Sequence, residues 1–331
     1  MTPPRGEHEE SVKGRAALIR RPVVPARRPW ATWKDPAVLL WLAGGLALAP
    51  MRRAWRLRVA RLGARLATRT RRARQARARI MHMLARSEPE AGRIVRELQA
   101  GRLAGYLDVV RALTFGPDFV VSCRGLEYIA DALAQGRGAI LWISDFVSAG
   151  DVSKVALARE GLRVAHLSRP EHGFTTSRFG IRWLNPLRIA FERAHLSERI
   201  VFERRDPAPV MARIEQILRH NGIVSIMASM HEGGTLAQVP FLNGGLRLSL
   251  GAVRLGLVSG APVLPVFVLA DPAGSGAFEM VVAPPLEMAN GPREQRLLRP
   301  VCQYAGALET YVRDRPQCWG GWRRADQLSI A

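Results

Sequence analysis

The chain has 331 residues, 48% of them apolar, so it can bury the core of one large domain or of two small ones. Its three cysteines, Cys123, Cys302 and Cys318, lie far apart and form no CxxC pair, which argues against a disulfide framework and a structural zinc site. No GxGxxG, GxxxxGK[ST], HExxH or GxSxG motif is present, so we expect neither a bound cofactor nor a metal.

The formal net charge of +21 is concentrated near the amino terminus. Residues 1–79 contain 20 Lys and Arg but only four acidic residues, and therefore carry +16 of the total. Such a basic segment suits an anionic membrane surface. A nucleic-acid-binding arm and a merely solvated helical face are the alternatives, but the aromatic residues that would stack on bases are missing between the arginines. We therefore predict no nucleic-acid partner.

The first 117 residues predict a tail followed by helices. Residues 1–35 are rich in proline and charge, which indicates a disordered basic tail. Residues 37–49 are uncharged but too few for a bilayer crossing, which needs about 20, so they form either a buried core helix or a segment dipping into the membrane interface. Within residues 52–79, an apolar stripe at helical spacing is flanked by arginines, as is typical of a membrane-surface helix. The stripe consists of Trp55, Val59, Leu62 and Leu66. We interpret residues 36–117 as a helical, membrane-associated section that ends in a helix from Ser87 to Leu113.

From residue 118 onward, apolar runs alternate with helical patterns, which predicts an α/β fold. The predicted strands lie near 118–123, 139–144, 163–168, 223–228, 262–269 and 278–283. The predicted helices lie near 126–135, 149–160, 207–220, 246–259 and 293–313. We predict a mixed, mostly parallel sheet flanked by helices over residues 118–325, followed by a short tail at 326–331.

Six motifs carry a resemblance to a known family. They are Val-Ser-Cys-Arg-Gly-Leu-Glu-Tyr (121–128), Gly-Arg-Gly-Ala-Ile-Leu (136–141), Leu-Ser-Arg-Pro (167–170), Val-Pro-Phe-Leu-Asn-Gly (239–244), Ser-Gly-Ala-Pro-Val-Leu-Pro-Val-Phe (259–267) and Trp-Gly-Gly-Trp-Arg-Arg (319–324). In order and spacing they resemble the bacterial lipid A biosynthesis lauroyl/myristoyl acyltransferases, over about Pro36 to Arg324. The resemblance implies a glycerolipid acyltransferase-like fold with amino-terminal helices attached to the cytoplasmic face of the bacterial inner membrane, peripherally or monotopically. It also implies transfer of a fatty acyl chain from acyl carrier protein to a glycolipid hydroxyl.

The polar turn after the strand at 139–144 departs from that family. The family's strand ends in His-x-x-x-x-Asp/Glu, in which the histidine removes the proton of the acceptor hydroxyl and the carboxylate orients it. When Phe146 is matched to the aromatic residue after that histidine, Asp145 stands in its place, Gly150 occupies the acid position and Asp151 follows one residue late. An aspartate, with an ordinary pKa of about 3.9, is a poor base unless burial or a second carboxylate raises it. Three interpretations remain open. Asp145 and Asp151 converge as a catalytic pair, or the segment is structural, with Ser148 or Asp151 capping the next helix, or the two aspartates bind substrate without taking part in the chemistry.

Two further strand ends supply candidate residues. The family's strand-end arginine is matched by Arg169, which could stabilise developing negative charge or bind phosphate, or could simply pair with Glu171 or lie in solvent. The family's aspartate-bearing loop is replaced by residues 228–234, in which His231 and Glu232 offer a displaced base and a carboxylate, or an uninvolved loop. His166 and His172 flank Arg169 and are further candidates. The resemblance also predicts that Trp319, Trp322, Arg323 and Arg324 pack and cap the carboxyl-terminal end.

These residues lead to a specific functional expectation. We predict a membrane-associated acyltransferase that moves an acyl chain from a thioester of acyl carrier protein or coenzyme A to a hydroxyl of a lipid or glycolipid. The catalytic candidates are Asp145, Asp151, Arg169, His231 and Glu232. The alternative is a catalytically inactive relative that binds lipid or a partner protein, because the histidine and the loop aspartate are both absent.

Overall fold

The computed structural model describes residues 16–20, 28–202, 206–230, 235–271, 275–324 and 326–330. Its central sheet has the strand order β2-β10-β9-β3-β6-β4-β5. The strands are β2 (Val121–Arg124), β3 (Ala139–Ile143), β4 (Val164–Ser168), β5 (Glu198–Val201), β6 (Ile223–Met227), β9 (Val263–Ala270) and β10 (Phe278–Val282). Neighbouring strands run parallel except for β9 and β10. The predicted mixed, mostly parallel sheet is confirmed; β5 was not predicted.

The middle strand β3 is buried along its whole length, as expected for a parallel strand covered on both faces. It pairs with β6 on one side and β9 on the other. Gly138, just before it, has φ +70°, and a Cβ there would lie 2.4 Å from the carbonyl oxygen of Gly222. Glycine is therefore required where the chain enters the sheet. On one face, the ring of Trp142 lies 4.0 Å from that of Tyr304, measured between centroids.

Helices connect these strands, as predicted. They are α5 (Leu126–Ala134), α6 (Ala149–Arg159), α7 (Asn185–Arg193), α8 (Ala208–Arg219), α9 (Gly251–Ser259) and α10 (Arg293–Asp314). A π-helix at Gly180–Leu184 leads into α7, which the sequence did not predict. The helix predicted over 246–259 begins only at Gly251, because the preceding residues belong to a strand.

A second, antiparallel sheet was not predicted. Its strands, in the order β1-β7-β8-β11, are β1 (Ala17–Arg20), β7 (Thr235–Phe241), β8 (Gly244–Ser249) and β11 (Leu328–Ile330). Backbone pairing with β7 orders Ala17–Arg20 inside the segment predicted to be a disordered tail, and pairing with β8 orders the carboxyl-terminal tail. Residues 1–15 and 21–27 of the amino-terminal tail lie outside the described residues.

Four helices make up the amino-terminal section. They are α1 (Lys34–Leu48), α2 (Arg53–Ala67), α3 (Arg71–Leu84) and α4 (Glu88–Phe115). The single helical stretch predicted for residues 52–79 is therefore divided in two, and Thr70 caps α3 by accepting a hydrogen bond from the Ala73 amide at 3.3 Å. Within the described ranges, no helix is long and apolar enough to cross a membrane.

One arginine of α2 is a core residue. Arg56 has no exposed surface and donates hydrogen bonds to both oxygens of Asp118, at 2.6 and 3.0 Å, and to Asp108 at 3.1 Å. Arg53 donates to the other oxygen of Asp108 at 2.9 Å. These contacts attach α2 to α4 and to the segment entering the central sheet. Part of the basic charge in this helix is therefore structural.

Candidate functional site

The polar residues meet where three parallel strands end side by side. The carboxyl ends of β3, β6 and β4 share one edge of the sheet, the edge at which open α/β sheets place their ligands. Two cavities, of about 670 and 310 Å³, open along this edge. Asp145, Ser148 and Arg188 line both of them. The candidate site is this double cavity.

Asp145, two residues beyond β3, is held by the carboxyl-terminal segment. Its side chain accepts a 2.7 Å hydrogen bond from Arg324 Nε, and its carbonyl oxygen accepts one from the Gly320 amide at 2.7 Å. The neighbouring Phe146 pairs with Trp319 in an isolated antiparallel bridge. Trp319 and Trp322 are buried, so the predicted packing of the terminal aromatic residues is confirmed.

Asp151 has a different partner. It lies in the first turn of α6, where Arg188 of α7 donates a 2.7 Å hydrogen bond to Oδ2. Its Oδ1 is buried and has no hydrogen-bond partner among the described residues. Asp145 and Asp151 are thus each paired with an arginine, and the converging carboxylate pair, one of the three alternatives considered above, is not observed. Ser148 stands at the helix start, but its side chain makes no capping hydrogen bond.

The turn before α6 touches the amino-terminal helices. Ser148 has φ +62°, a left-handed conformation that is uncommon for residues other than glycine. Its hydroxyl faces Gly105 of α4, where a Cβ would lie only 2.6 Å from Ser148 Oγ. Glycine at position 105 is what lets α4 approach the turn this closely.

Arg169 follows β4 and reaches across to the neighbouring strand end. Its Nη2 donates a 2.6 Å hydrogen bond to the carbonyl oxygen of Ser229, just beyond β6, and its side chain lines the smaller cavity. Its own carbonyl oxygen accepts a hydrogen bond from Arg199 at 3.1 Å. Glu171, considered above as a partner for Arg169, forms a 3.0 Å ion pair with Arg28.

A buried carboxylate stands behind the smaller cavity. Glu192 of α7 has no exposed surface; its Oε1 lies 2.5 Å from Lys154 Nζ and 2.8 Å from His172 Nε2, and its Oε2 lies 3.3 Å from Arg199 Nε. Burial acts to raise the pKa of Glu192, but the contact with His172 and the charge of Lys154 outweigh it and lower that pKa below its usual range. The carboxylate is therefore ionised and surrounded by positive charge.

The two histidines beside this carboxylate differ in exposure. His166 is buried and shares a 2.8 Å hydrogen bond with Ser225 through Nδ1, and burial together with the charge of Lys154 lowers its pKa well below 6.5. The His172 side chain is 31% exposed and lines the smaller cavity. Burial lowers its pKa as well, although Glu192 partly opposes that effect. Both histidines line the smaller cavity, but His166 is buried whereas His172 is partly exposed.

The remaining predicted residues, His231 and Glu232, lie outside the described residues, and the structure does not test them. The sequence interpretation missed Arg188 and Glu192, which bind Asp151 and His172 respectively. The sequence did offer one signal for this pair: Arg188 and Glu192 are four residues apart, and residues with that separation share one face of a helix.

Comparisons with known proteins identify a family for most of the chain. A family model described as bacterial lipid A biosynthesis acyltransferase matches residues 28–320. Among solved structures, the 1-acyl-sn-glycerophosphate (LPA) acyltransferase PlsC from Thermotoga maritima is similar at 12% identity and a TM-score of 0.35, with 85% of this chain and 97% of that chain covered. No curated protein matches the chain.

Proposed function

Because the chain belongs to the bacterial lipid A biosynthesis acyltransferase family and is accordingly an acyltransferase, we propose that it moves a fatty acyl chain from a thioester to a lipid or glycolipid hydroxyl. The donor would be acyl carrier protein or coenzyme A, and the site of action the cytoplasmic face of the bacterial inner membrane. The observation that carries the proposal is the cavity at the strand ends, where an imidazole and a guanidinium, those of His172 and Arg169, line one wall.

Exposed apolar side chains support the membrane assignment. On α2, Trp55, Leu62 and Leu66 of the predicted stripe are 52%, 58% and 70% exposed, while the helix packs inward through Ala60 and Ala64. Exposed apolar residues continue on and around α1, namely Trp30, Trp33, Leu39, Leu40 and Leu46. Arginines lie between them, so this surface offers apolar area and positive charge together, the combination that binds anionic bilayers.

We assign proton removal in this reaction to His172. Asp145, at the position of the family's histidine, is occupied by its hydrogen bond to Arg324. His172 Nε2 is buried and lies 2.8 Å from Glu192 Oε1, so we infer that Nδ1 is the ring nitrogen that accepts the proton. A carboxylate behind an imidazole is the arrangement that orients a histidine base in many hydrolases. Glu192 is thus the positioning residue and His172 the base.

The proposed reaction begins with proton removal from the acceptor. His172 Nδ1 takes the proton of the acceptor hydroxyl while the hydroxyl oxygen attacks the thioester carbonyl carbon. The carbon–sulfur bond then breaks, the sulfur leaves as a thiolate, and the imidazolium returns the proton to it. Arg169 stabilises the negative charge that develops on the carbonyl oxygen.

The test is transfer of a labelled acyl chain by the purified full-length protein, from acyl carrier protein and from coenzyme A, to a panel of lipid and glycolipid acceptors. Arg169→Ala should lower the rate by about 10²–10³-fold. His172→Ala should lower it by about 10²–10⁴-fold. Because burial lowers the pKa of His172, the wild-type rate should fall only when the pH drops through that lowered pKa, below the ordinary histidine value of 6.5. His220→Ala, on the exposed end of α8, is the matched control and should not change the rate.

The second candidate is a lipid-binding relative without turnover, and the Arg324–Asp145 ion pair at the family's histidine position favours it. It requires wild-type rates at background for every donor and acceptor, together with measurable lipid binding. A transfer rate above background that depends on His172 excludes it.

A further inference from the structure

The larger cavity beside Asp145 is lined with positive charge from separate elements. Arg72 comes from α3, Arg102 from α4 and Arg323 from the 3-10 helix Gly320–Arg323 that follows α10. Lys34, at the start of α1, lies close enough for its charge to act on theirs. Four cationic side chains that are distant in sequence are thus gathered at one place.

Three carboxylates also line this cavity, those of Asp145, Asp151 and Asp326. Asp145 binds Arg324 and Asp151 binds Arg188, two further arginines of the same cavity, and the charge of Asp326 acts on Arg79 of α3. Among the described residues, Arg102 donates to two neutral groups, Gln99 Oε1 at 3.0 Å and the Tyr106 hydroxyl at 3.5 Å. The cationic group therefore exceeds the negative charge that faces it.

Arg323 is the most constrained member of the group. It lies largely below the surface, and its Nε is buried without a hydrogen-bond partner in the part of the chain that the structure describes. Burial and the charges of Arg102 and Arg72 lower its pKa to about 9. Burial and the same neighbours also lower the pKa of Lys34. Holding these charges together is unfavourable, and an anion bound among them would offset the repulsion.

We propose that Arg72, Arg102 and Arg323 form an anion site that holds a phosphate group of the substrate next to Asp145. Guanidinium groups bind phosphate oxygens through paired N–H donors, and several of them around one point suit a doubly charged phosphate better than a single carboxylate. The assignment of this phosphate to a substrate rests on the proposed acyl transfer. Two sources share the chemistry, a phosphorylated lipid acceptor and the phosphopantetheine end of the thioester donor.

Direct binding tests the site without turnover. Full-length protein is titrated by calorimetry, at constant ionic strength, with inorganic phosphate, with coenzyme A and with a lipid phosphomonoester in neutral detergent micelles. Arg323→Gln and Arg102→Gln should each weaken phosphate binding at least about tenfold, the amount expected for losing one charge-assisted hydrogen bond. Arg58→Gln, an exposed arginine of α2, is the matched control and should leave binding unchanged.

The arms of the experiment distinguish the sources. Stronger binding of the lipid phosphate than of coenzyme A assigns the site to the acceptor, and the reverse assigns it to the donor. The proposal is overturned if only inorganic phosphate binds, if nothing binds, or if Arg323→Gln and Arg102→Gln bind as tightly as the wild type.

A stability measurement separates a binding defect from misfolding. Without phosphate, Arg102→Gln should unfold at the same temperature as the wild type or higher, because one repelling charge is gone. With phosphate, only the wild type should gain stability. If the wild-type protein binds phosphate but shows no turnover, only the proposed function is contradicted. If Arg323→Gln turns over normally and keeps the phosphate affinity of the wild type, only this anion site is contradicted.

Discussion

Arg324 donates a 2.7 Å hydrogen bond to Asp145 across 179 residues of sequence, and this contact makes Asp145 one partner of an ion pair. A carboxylate held by a guanidinium fixes the end of the chain against the turn after β3. On the mechanism proposed above, this ion pair occupies the Asp145 carboxylate and leaves proton removal to His172.

Replacing Asp145 should therefore affect structure more than chemistry. Asp145→Asn keeps the shape of the side chain and removes the charge that Arg324 binds. Because the pair is partly exposed, we expect a loss of about 1 kcal/mol or less in the free energy of unfolding. The acyl-transfer rate should fall by less than about tenfold, against about 100-fold or more for His172→Ala. Equal losses of rate in the two variants would identify Asp145 as the base instead.

Acid should destabilise the protein through its buried histidines. The pKa values of His166 and His172 are lowered in the folded state, so below pH 6.5 the unfolded chain takes up protons that the folded chain does not. Stability is therefore lost as the pH falls, by about 1.4 kcal/mol per pH unit for a histidine that stays neutral when folded. The lowered pKa of Glu192 adds a loss in the same direction below pH 4.5.

Urea unfolding at several pH values between 8 and 5 measures this effect. His166→Asn removes one of the titrating groups and should flatten the dependence, whereas His220→Ala on the exposed end of α8 should leave its slope unchanged. A free energy of unfolding that does not vary between pH 7 and 5 would contradict the prediction.

The buried arginine of α2 should be essential for stability. Arg56→Met leaves Asp108 and Asp118 without their shared partner, and breaking a buried ion pair on one side costs about 3–5 kcal/mol. Arg58→Ala is the matched control on the same helix, because Arg58 lies exposed over the Trp55 ring and its loss should change stability by less than about 0.5 kcal/mol. Urea unfolding compares the two; similar midpoints would show that the buried network adds no stability.

Membrane binding should depend on the exposed stripe of α2. Leu62→Glu combined with Leu66→Glu removes two apolar anchors and adds negative charge, which should weaken binding to vesicles containing phosphatidylglycerol by about 100-fold. Flotation with such vesicles is the measurement. Val258→Glu, an equally exposed apolar position on α9, is the matched control and should float with the wild type. Unchanged flotation of the double variant would remove α2 from the membrane-binding surface.

The strands of the central sheet were predictable where burial is complete. Runs such as 139–143 are apolar along their whole length and are bounded by glycine or polar residues, so sequence alone locates them. The β7–β8 hairpin was missed although Leu246, Leu248 and Leu250 alternate as in a strand, because the same leucines also suit the start of a helix. Strand β1 was missed because it is ordered by backbone pairing, to which its side chains give little clue.

Only the site residues that directly follow a strand, or lie in the turn and helix start after it, could be predicted from the sequence. Asp145, Asp151 and Arg169 were found because parallel strands bring their carboxyl ends together. Their partners were not found. Arg188, Glu192 and Arg324 reach the site from a helix and from the end of the chain, and no sequence rule fixes the separation between each of them and the residue it contacts. Arg56 shows the same limit, because a run of arginines does not reveal which one is buried between two aspartates.

Gly105 and Ser148 meet at the point where the helical section touches the turn that carries Asp145. Since a single hydroxyl group separates the two backbones, α4 cannot shift toward the sheet without moving that turn. Under the membrane attachment proposed above, a displacement of the outer helices by the bilayer would therefore be passed on to the turn that carries Asp145.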